Sequence, residues 1–94
     1  MYGGDSMNLY KELESAFSIM ENILDRKELR NFINLSYADL YLHHYGIGIW
    51  IRNNLLKENH TLYKLFKAGG IIDKDYMSSL IIKLFYIYAK LKYK

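Results

Sequence analysis

The chain has 94 residues, of which 51% are hydrophobic, and it contains neither cysteine nor proline. A chain of this length holds a single hydrophobic core, so we expect one domain over residues 1–94, with residues 1–5 disordered. The lack of cysteine excludes disulfide bonds and thiolate metal sites, and the net charge of +3 is only a mild basic bias.

Two helices are predicted in the first third of the chain. Apolar residues recur at helical spacing over residues 7–24, so this stretch is predicted to form a long helix. Asp5 or Ser6 is expected to cap its start. Asp25 and Glu28 stand three residues apart, which is typical of a capping box, and they predict the start of a short second helix.

The middle of the chain contains two further predicted helices. Ser36 and Asp39 have the S-x-x-D spacing of a helix start, and this helix is expected to run to about Tyr45, where Gly46 ends it. Residues 47–56 alternate in hydrophobicity as a strand does, but the stretch is short and has no obvious partner strand. We therefore predict a helix there as well.

Two helices are predicted in the last third. Asn59 is expected to cap a short helix over Thr61–Ala68, which the following pair of glycines ends. Asp73 or Asp75 then caps a long helix to about Leu91. Its predicted buried residues are Met77, Leu80, Ile81, Leu84, Phe85, Tyr88 and Leu91. Together the elements predict an all-α fold of about five to six helices, with two long terminal helices that pack together and flank short central ones.

Four segments of the chain together resemble a known family. They are Ser36–Leu40, His44–Asn54, Leu62–Gly70 and Asp73–Ser78. The second segment is similar to the H-[FY]-G-[LI]-G-x-W-I-R-N-N signature of a small uncharacterised domain found in bacterial and phage proteins. The resemblance covers residues 36–88. It implies a small helical domain, and it brings no established biochemical activity with it.

The signature segment also contains the predicted ligand-binding site. Gly46 and Gly48 permit a close approach to the backbone, and a helix that begins near Gly46 offers free N–H groups to an anion. Arg52 can hold a phosphate or carboxylate with two hydrogen bonds, and Trp50 can stack on a base. The predicted ligand-binding residues are His44, Tyr45, Gly46, Gly48, Trp50, Arg52, Asn53 and Asn54.

The same residues allow a structural interpretation. The glycines would let two helices meet at a corner, and Trp50 would fill the core. Arg52 would hydrogen-bond carbonyl groups at a helix C-terminus or pair with Asp39, Asp73 or Asp75. The sequence leaves both interpretations open.

Metal binding and catalysis find little support in the sequence. His43 and His44 are adjacent and diverge by about 100° on a helix, so they chelate one metal ion poorly. No metal or other cofactor is predicted. A helical ribonuclease would require Arg52 and Asn53 to meet His60, although the spacing between them is longer than usual for such enzymes.

Tyr37, Tyr41 and Tyr45 share one face of the predicted third helix, either as peripheral core residues or as an interaction surface. The leading expectation is a non-enzymatic, homo-oligomeric binding protein of the cytoplasm, or of the host cytoplasm if a phage encodes it. Its partner would be an anionic nucleotide-type molecule or a host defence protein, as in phage counter-defence. The alternatives are a HEPN-like ribonuclease or toxin and a purely structural interaction domain. Binding to membranes or nucleic acid is not expected.

Overall fold

The computed structural model describes residues 2–93, and the side chains from residue 8 onward. Its α-helices are α1 (Tyr2–Ile23), α2 (Arg26–Ile33), α3 (Ile47–Asn54), α4 (Thr61–Ala68) and α5 (Lys74–Lys92), and a 3₁₀ helix (Tyr37–His43) lies between α2 and α3. No strand occurs in this part of the chain. The predicted all-α fold, with long helices at both ends and short ones between them, is therefore confirmed.

The first helix begins earlier than predicted. α1 starts at Tyr2 instead of residue 7, so Asp5 and Ser6 lie inside the helix and do not cap it. Without a proline, nothing in this stretch forces the helix to begin later. The expected disorder of residues 1–5 concerns motion of the chain and stays a prediction.

Side-chain hydrogen bonds confirm the predicted capping box at the start of α2, but they do not confirm the predicted cap of the next helix. The Asp25 carboxylate accepts a 2.7 Å hydrogen bond from the Glu28 N–H, and the Glu28 carboxylate accepts one of 3.1 Å from the Asp25 N–H. The Ser36 hydroxyl instead donates to the Asp39 carboxylate at 3.0 Å and caps no backbone group. The element that follows is a 3₁₀ helix, and it ends at His43, before Tyr45.

The ends of α4 match the prediction, although its cap does not. A turn from Lys57 to His60 makes His60 the N-cap residue in place of Asn59. At the other end, Gly70 adopts a φ of 90°. The Ile71 N–H donates to the Phe66 carbonyl at 2.9 Å, which together with Gly70 forms a Schellman motif. Asp73, and not Asp75, caps α5.

Aromatic side chains join the two long helices. The Phe17 ring of α1 lies 5.8 Å from the Phe85 ring and 4.9 Å from the Tyr88 ring of α5, measured between ring centroids. Phe32 of α2 lies 5.5 Å from Phe85 and is itself buried. α5 also packs against α3 and the 3₁₀ helix. The last helix is therefore the central element of the core, and the predicted packing of the long helices is confirmed.

The buried face of α5 differs from the predicted stripe. Leu84 and Leu91 were expected in the core but are 40% and 72% exposed. α3 and the 3₁₀ helix cover a neighbouring arc of the helix instead, which the apolar spacing alone does not reveal. The buried residues of α5 are Met77, Ser78, Ile81, Ile82, Phe85, Tyr86 and Ala89.

A hydrogen-bonded cluster around Glu21 holds the C-terminal end of α5 on α1. The Glu21 carboxylate accepts hydrogen bonds from the Tyr88 hydroxyl at 2.6 Å, from the Lys92 ammonium at 3.1 Å and from the Tyr93 hydroxyl. Burial alone would raise the pKa of Glu21, but these three donors outweigh it and hold the pKa below its ordinary value.

We expect Glu21→Gln to lower the free energy of unfolding by about 1 kcal/mol at neutral pH, because the amide loses charge-assisted hydrogen bonds. Since the folded pKa lies below the unfolded value of ~4.3, the stabilisation is fully present above that value and is lost as pH falls through the folded pKa. Urea unfolding curves of the two proteins should therefore converge as the pH is lowered below that unfolded value. Exposed Glu14→Gln serves as the control. A difference in the free energy of unfolding between wild type and Glu21→Gln that does not change with pH would contradict the stabilising role of the Glu21 charge.

Candidate functional site

The predicted glycines lie at a corner between the 3₁₀ helix and α3. The Gly46 N–H donates to the His43 carbonyl at 3.2 Å, and α3 begins at the next residue. Gly48 is buried, and a Cβ atom there would lie 3.1 Å from Arg52 Nη1 and 3.3 Å from the His43 carbonyl oxygen. Gly48 therefore allows the first turn of α3 to pack against the end of the 3₁₀ helix, whereas Gly46 has open space around it.

Arg52 faces the interior of the protein. Its Nη1 donates to the Ser78 hydroxyl at 2.8 Å and its Nη2 to the His44 carbonyl at 3.2 Å, while Nε lies 3.4 Å from the Asp75 carboxylate. The Arg52 side chain is 15% exposed. The Ser78 hydroxyl is fully buried and donates in turn to the Asp75 carbonyl. The guanidinium thus joins α3 to α5 and to the end of the 3₁₀ helix, with Asp75 as its carboxylate.

The eight predicted residues do not converge on one cavity. His44 and Tyr45 line one groove, Gly46 and Trp50 line a second, and Asn54 lines a third. Trp50 is half-buried and packs against the core, while Asn53 is exposed. The Asn54 side-chain amide donates to the Trp50 carbonyl at 2.9 Å within α3. Contacts within the protein thus explain the presence of Gly48, Trp50 and Arg52 without a ligand.

The groove at His44 has the chemistry of a binding site. We call it the tyrosine groove, because Tyr37, Tyr41 and Tyr45 line it and are 54%, 71% and 80% exposed. Its volume is about 450 Å³. The residues that complete the lining are Ala38, Leu40, His44, Ser79, Ile82 and Lys83.

Sequence reasoning missed Ser79 and Lys83, which α5 contributes to the tyrosine groove. They stand four residues apart and therefore share a helix face. Only the packing of α5 on the 3₁₀ helix brings that face to the tyrosines. The groove combines ring faces with the Lys83 ammonium and hydroxyl and imidazole groups, so it can bind a planar ring and an anionic group together.

His43 faces away from the tyrosine groove and lines the groove that contains Trp50. Its ring meets the Phe32 ring edge to face at 5.3 Å. Burial lowers the pKa of His43, which favours the neutral imidazole.

Arg52 and Asn53 do not line the groove that contains His60. His60 lines a groove between α1 and α4 with Glu12 and Asn54, whereas the polar contacts of Arg52 run to α5 and to His44. Among the side chains of residues 8–93, no three His, Asp or Glu groups come together as a metal site. Within residues 2–93, no helix is both long and apolar enough to cross a membrane.

The fold and the groove define a small all-α domain with an exposed aromatic groove. The chain belongs to the family described as "Domain of unknown function (DUF6794)", whose family model matches residues 11–88. Comparisons with curated proteins and with solved structures give no match.

We expect Arg52→Lys to lower the free energy of unfolding by about 2 kcal/mol, because one ammonium cannot replace three directed contacts to separate elements. Chemical denaturation of both proteins measures the difference. Exposed Arg30→Lys on α2 is the matched control and should change stability little. Unchanged stability of Arg52→Lys would contradict the structural role.

Gly48→Ala should also destabilise the protein, by about 1 kcal/mol net. The crowding of the new methyl group costs about 1–3 kcal/mol, which exceeds the gain of ~1 kcal/mol in helix propensity. Gly69→Ala is the control, since its Cβ would meet carbonyl oxygens at 3.6 and 3.7 Å, an ordinary distance. Equal thermal unfolding of both variants would show that position 48 is not crowded.

Proposed function

We propose that this protein is a non-enzymatic binding protein whose tyrosine groove holds an anionic ligand of the nucleotide type. The observation that carries the proposal is the set of three exposed tyrosines beside Lys83 and Ser79. A monomeric domain rarely exposes several neighbouring aromatic side chains unless they meet a ligand or partner. The groove volume of about 450 Å³ suits a molecule of nucleotide size.

The groove offers contacts both to the base and to the phosphate of such a ligand. A tyrosine ring offers a stacking face to a base, which stabilises binding by about 1–3 kcal/mol per base. Lys83 is half-buried and forms no ion pair within residues 8–93, so its ammonium is available to a phosphate. The Ser79 hydroxyl one turn earlier adds a hydrogen-bond donor.

This proposal moves the ligand away from the signature segment. Arg52, Gly48 and Trp50 are explained by packing, and His44 and Tyr45 are the two members of the predicted site that remain in the groove. We further propose that the part of the signature from Gly46 to Arg52 defines the corner between helices rather than a ligand contact. If a phage encodes the chain, sequestration of a signalling nucleotide would counter host defence.

A host defence protein is the second candidate partner, because tyrosines that are more than half exposed are also favoured at protein interfaces. Such a partner would occupy the same groove without requiring a phosphate at Lys83. Homo-oligomerisation stays a prediction from the charge distribution and chain length.

Isothermal titration with AMP, cyclic AMP and ADP-ribose tests the nucleotide proposal. We expect at least one of these probes to bind, and Tyr41→Ala to weaken that binding about tenfold because it removes a stacking face. Lys83→Gln should weaken it as well and should reduce the dependence of affinity on salt.

The matched controls are Tyr10→Ala, which removes a tyrosine that is 68% exposed on α1, and Lys64→Gln, which removes an exposed cation on α4. Both should bind as the wild type does. If no probe binds, the nucleotide proposal fails and the protein-partner candidate takes its place. Equal losses in control and groove variants would show that the binding is not specific to the groove.

A further inference from the structure

An apolar stripe runs along the exposed side of α5. It consists of Leu84, Ile87 and Leu91, which are 40%, 48% and 72% exposed, and we call it the α5 stripe. The spacing of three and four residues places these side chains on one face of the helix. No other helix of the described chain covers them, although the spacing is the one by which a helix normally packs against a partner.

One edge of the α5 stripe is basic. Lys83 and Lys90 are seven residues apart, so they flank the stripe along the same side. After Asp75, α5 carries lysines and no carboxylate. The Lys90 ammonium lies 5.1 Å from the centre of the Tyr86 ring, which holds it beside the stripe.

The basic surface continues from the α5 stripe onto α2. Leu91 and Lys90 line one groove together with Tyr93 and Ile33. A neighbouring groove also contains Tyr93 and Ile33, and Arg26 and Arg30 contribute to its lining. The volumes of the two grooves are about 450 and 310 Å³.

The cations around this surface lack carboxylate partners among the described side chains. Lys83, Lys90, Arg26 and Arg30 form no ion pair with the acidic side chains of residues 8–93. Glu21, which is bonded to Tyr93 at the edge of the surface, already accepts hydrogen bonds from two tyrosines and Lys92. The positive charge of this surface is therefore available to an external group.

We propose that the α5 stripe and its basic edge form a second binding surface, which takes an acidic amphipathic helix of another protein. Such a helix would lay apolar residues on Leu84, Ile87 and Leu91, and its carboxylates would meet Lys90 and Arg30. The apolar stripe favours a peptide over nucleic acid, whose binding surfaces instead present several stacking aromatic rings.

Charge also decides against a second copy of the same face. Two antiparallel α5 stripes packed on each other would bring lysine edges together with no carboxylate between them, and like charges at close range oppose association. With an acidic partner there is no such repulsion, because its carboxylates attract the lysines. This surface shares Lys83 with the tyrosine groove but no other residue, and its test does not use nucleotide binding.

A display library of random peptides of about 16 residues, long enough for four helical turns, tests the proposal with the whole protein as bait. We expect the enriched peptides to combine apolar residues at helical spacing with Asp or Glu on one side. Leu91→Ser should reduce their affinity about tenfold or more, because it removes the most exposed apolar contact. Lys90→Glu should shift the enrichment towards basic peptides.

Ile72→Ser is the matched control, because Ile72 is 71% exposed and lies outside the stripe, before α5 begins. Circular dichroism melting of each variant checks that folding is kept. The proposal is overturned if no peptide is enriched, if Leu91→Ser binds the selected peptides as Ile72→Ser does, or if basic peptides are enriched by the wild type. Sedimentation equilibrium of a dimer that Leu91→Ser dissociates would likewise overturn it, by assigning the stripe to a second copy.

Discussion

A single guanidinium group joins three parts of this fold. Arg52 reaches from α3 to the buried Ser78 hydroxyl of α5, to the Asp75 carboxylate at the start of α5 and to the carbonyl at the end of the 3₁₀ helix. A largely buried charge is stable only when such partners surround it, so the positions of all three elements are fixed together. Gly48 belongs to the same arrangement, because its missing side chain leaves the space that the guanidinium fills.

The hydrogen bonds of Arg52 hold the fold together, whereas the two proposed binding surfaces lie elsewhere on the domain. Gly48 and Arg52 lie at the corner between helices, whereas most residues of the tyrosine groove and all of the α5 stripe lie on the faces that the corner positions. The tyrosine groove has one wall from the 3₁₀ helix and another from α5, and the Tyr86 hydroxyl of α5 donates a hydrogen bond to the Leu35 carbonyl just before the 3₁₀ helix.

Most helices could be predicted from the sequence, because their signals are local. The Asp25 and Glu28 capping box, the glycine pair after α4 and an aspartate before α5 each act within a few residues, and each was predicted, with Asp73 and Asp75 as alternatives for the last. The buried face of α5 could not be predicted in the same way. Leu84 and Leu91 have the spacing of core residues, and only the placement of α3 and the 3₁₀ helix decides which arc of α5 is covered.

The candidate site was less predictable for the same reason. A glycine, a tryptophan and an arginine in one short segment are equally suited to a ligand and to a tight corner, since both require close approach and directed hydrogen bonds. The partner that distinguishes them, Ser78, is 26 residues away from Arg52 in the chain. Ser79 and Lys83 of the groove carry no local pattern that would mark them as binding residues.

The 3₁₀ helix has a geometric effect on the tyrosines that it carries. With three residues per turn, side chains four positions apart diverge by about 120°, whereas in an α-helix they nearly align. Tyr37 and Tyr41 are therefore splayed apart, and their separation along the axis is about 8 Å instead of ~6 Å. The winding of one short helix thus sets the spacing of two of the ring faces that the groove presents.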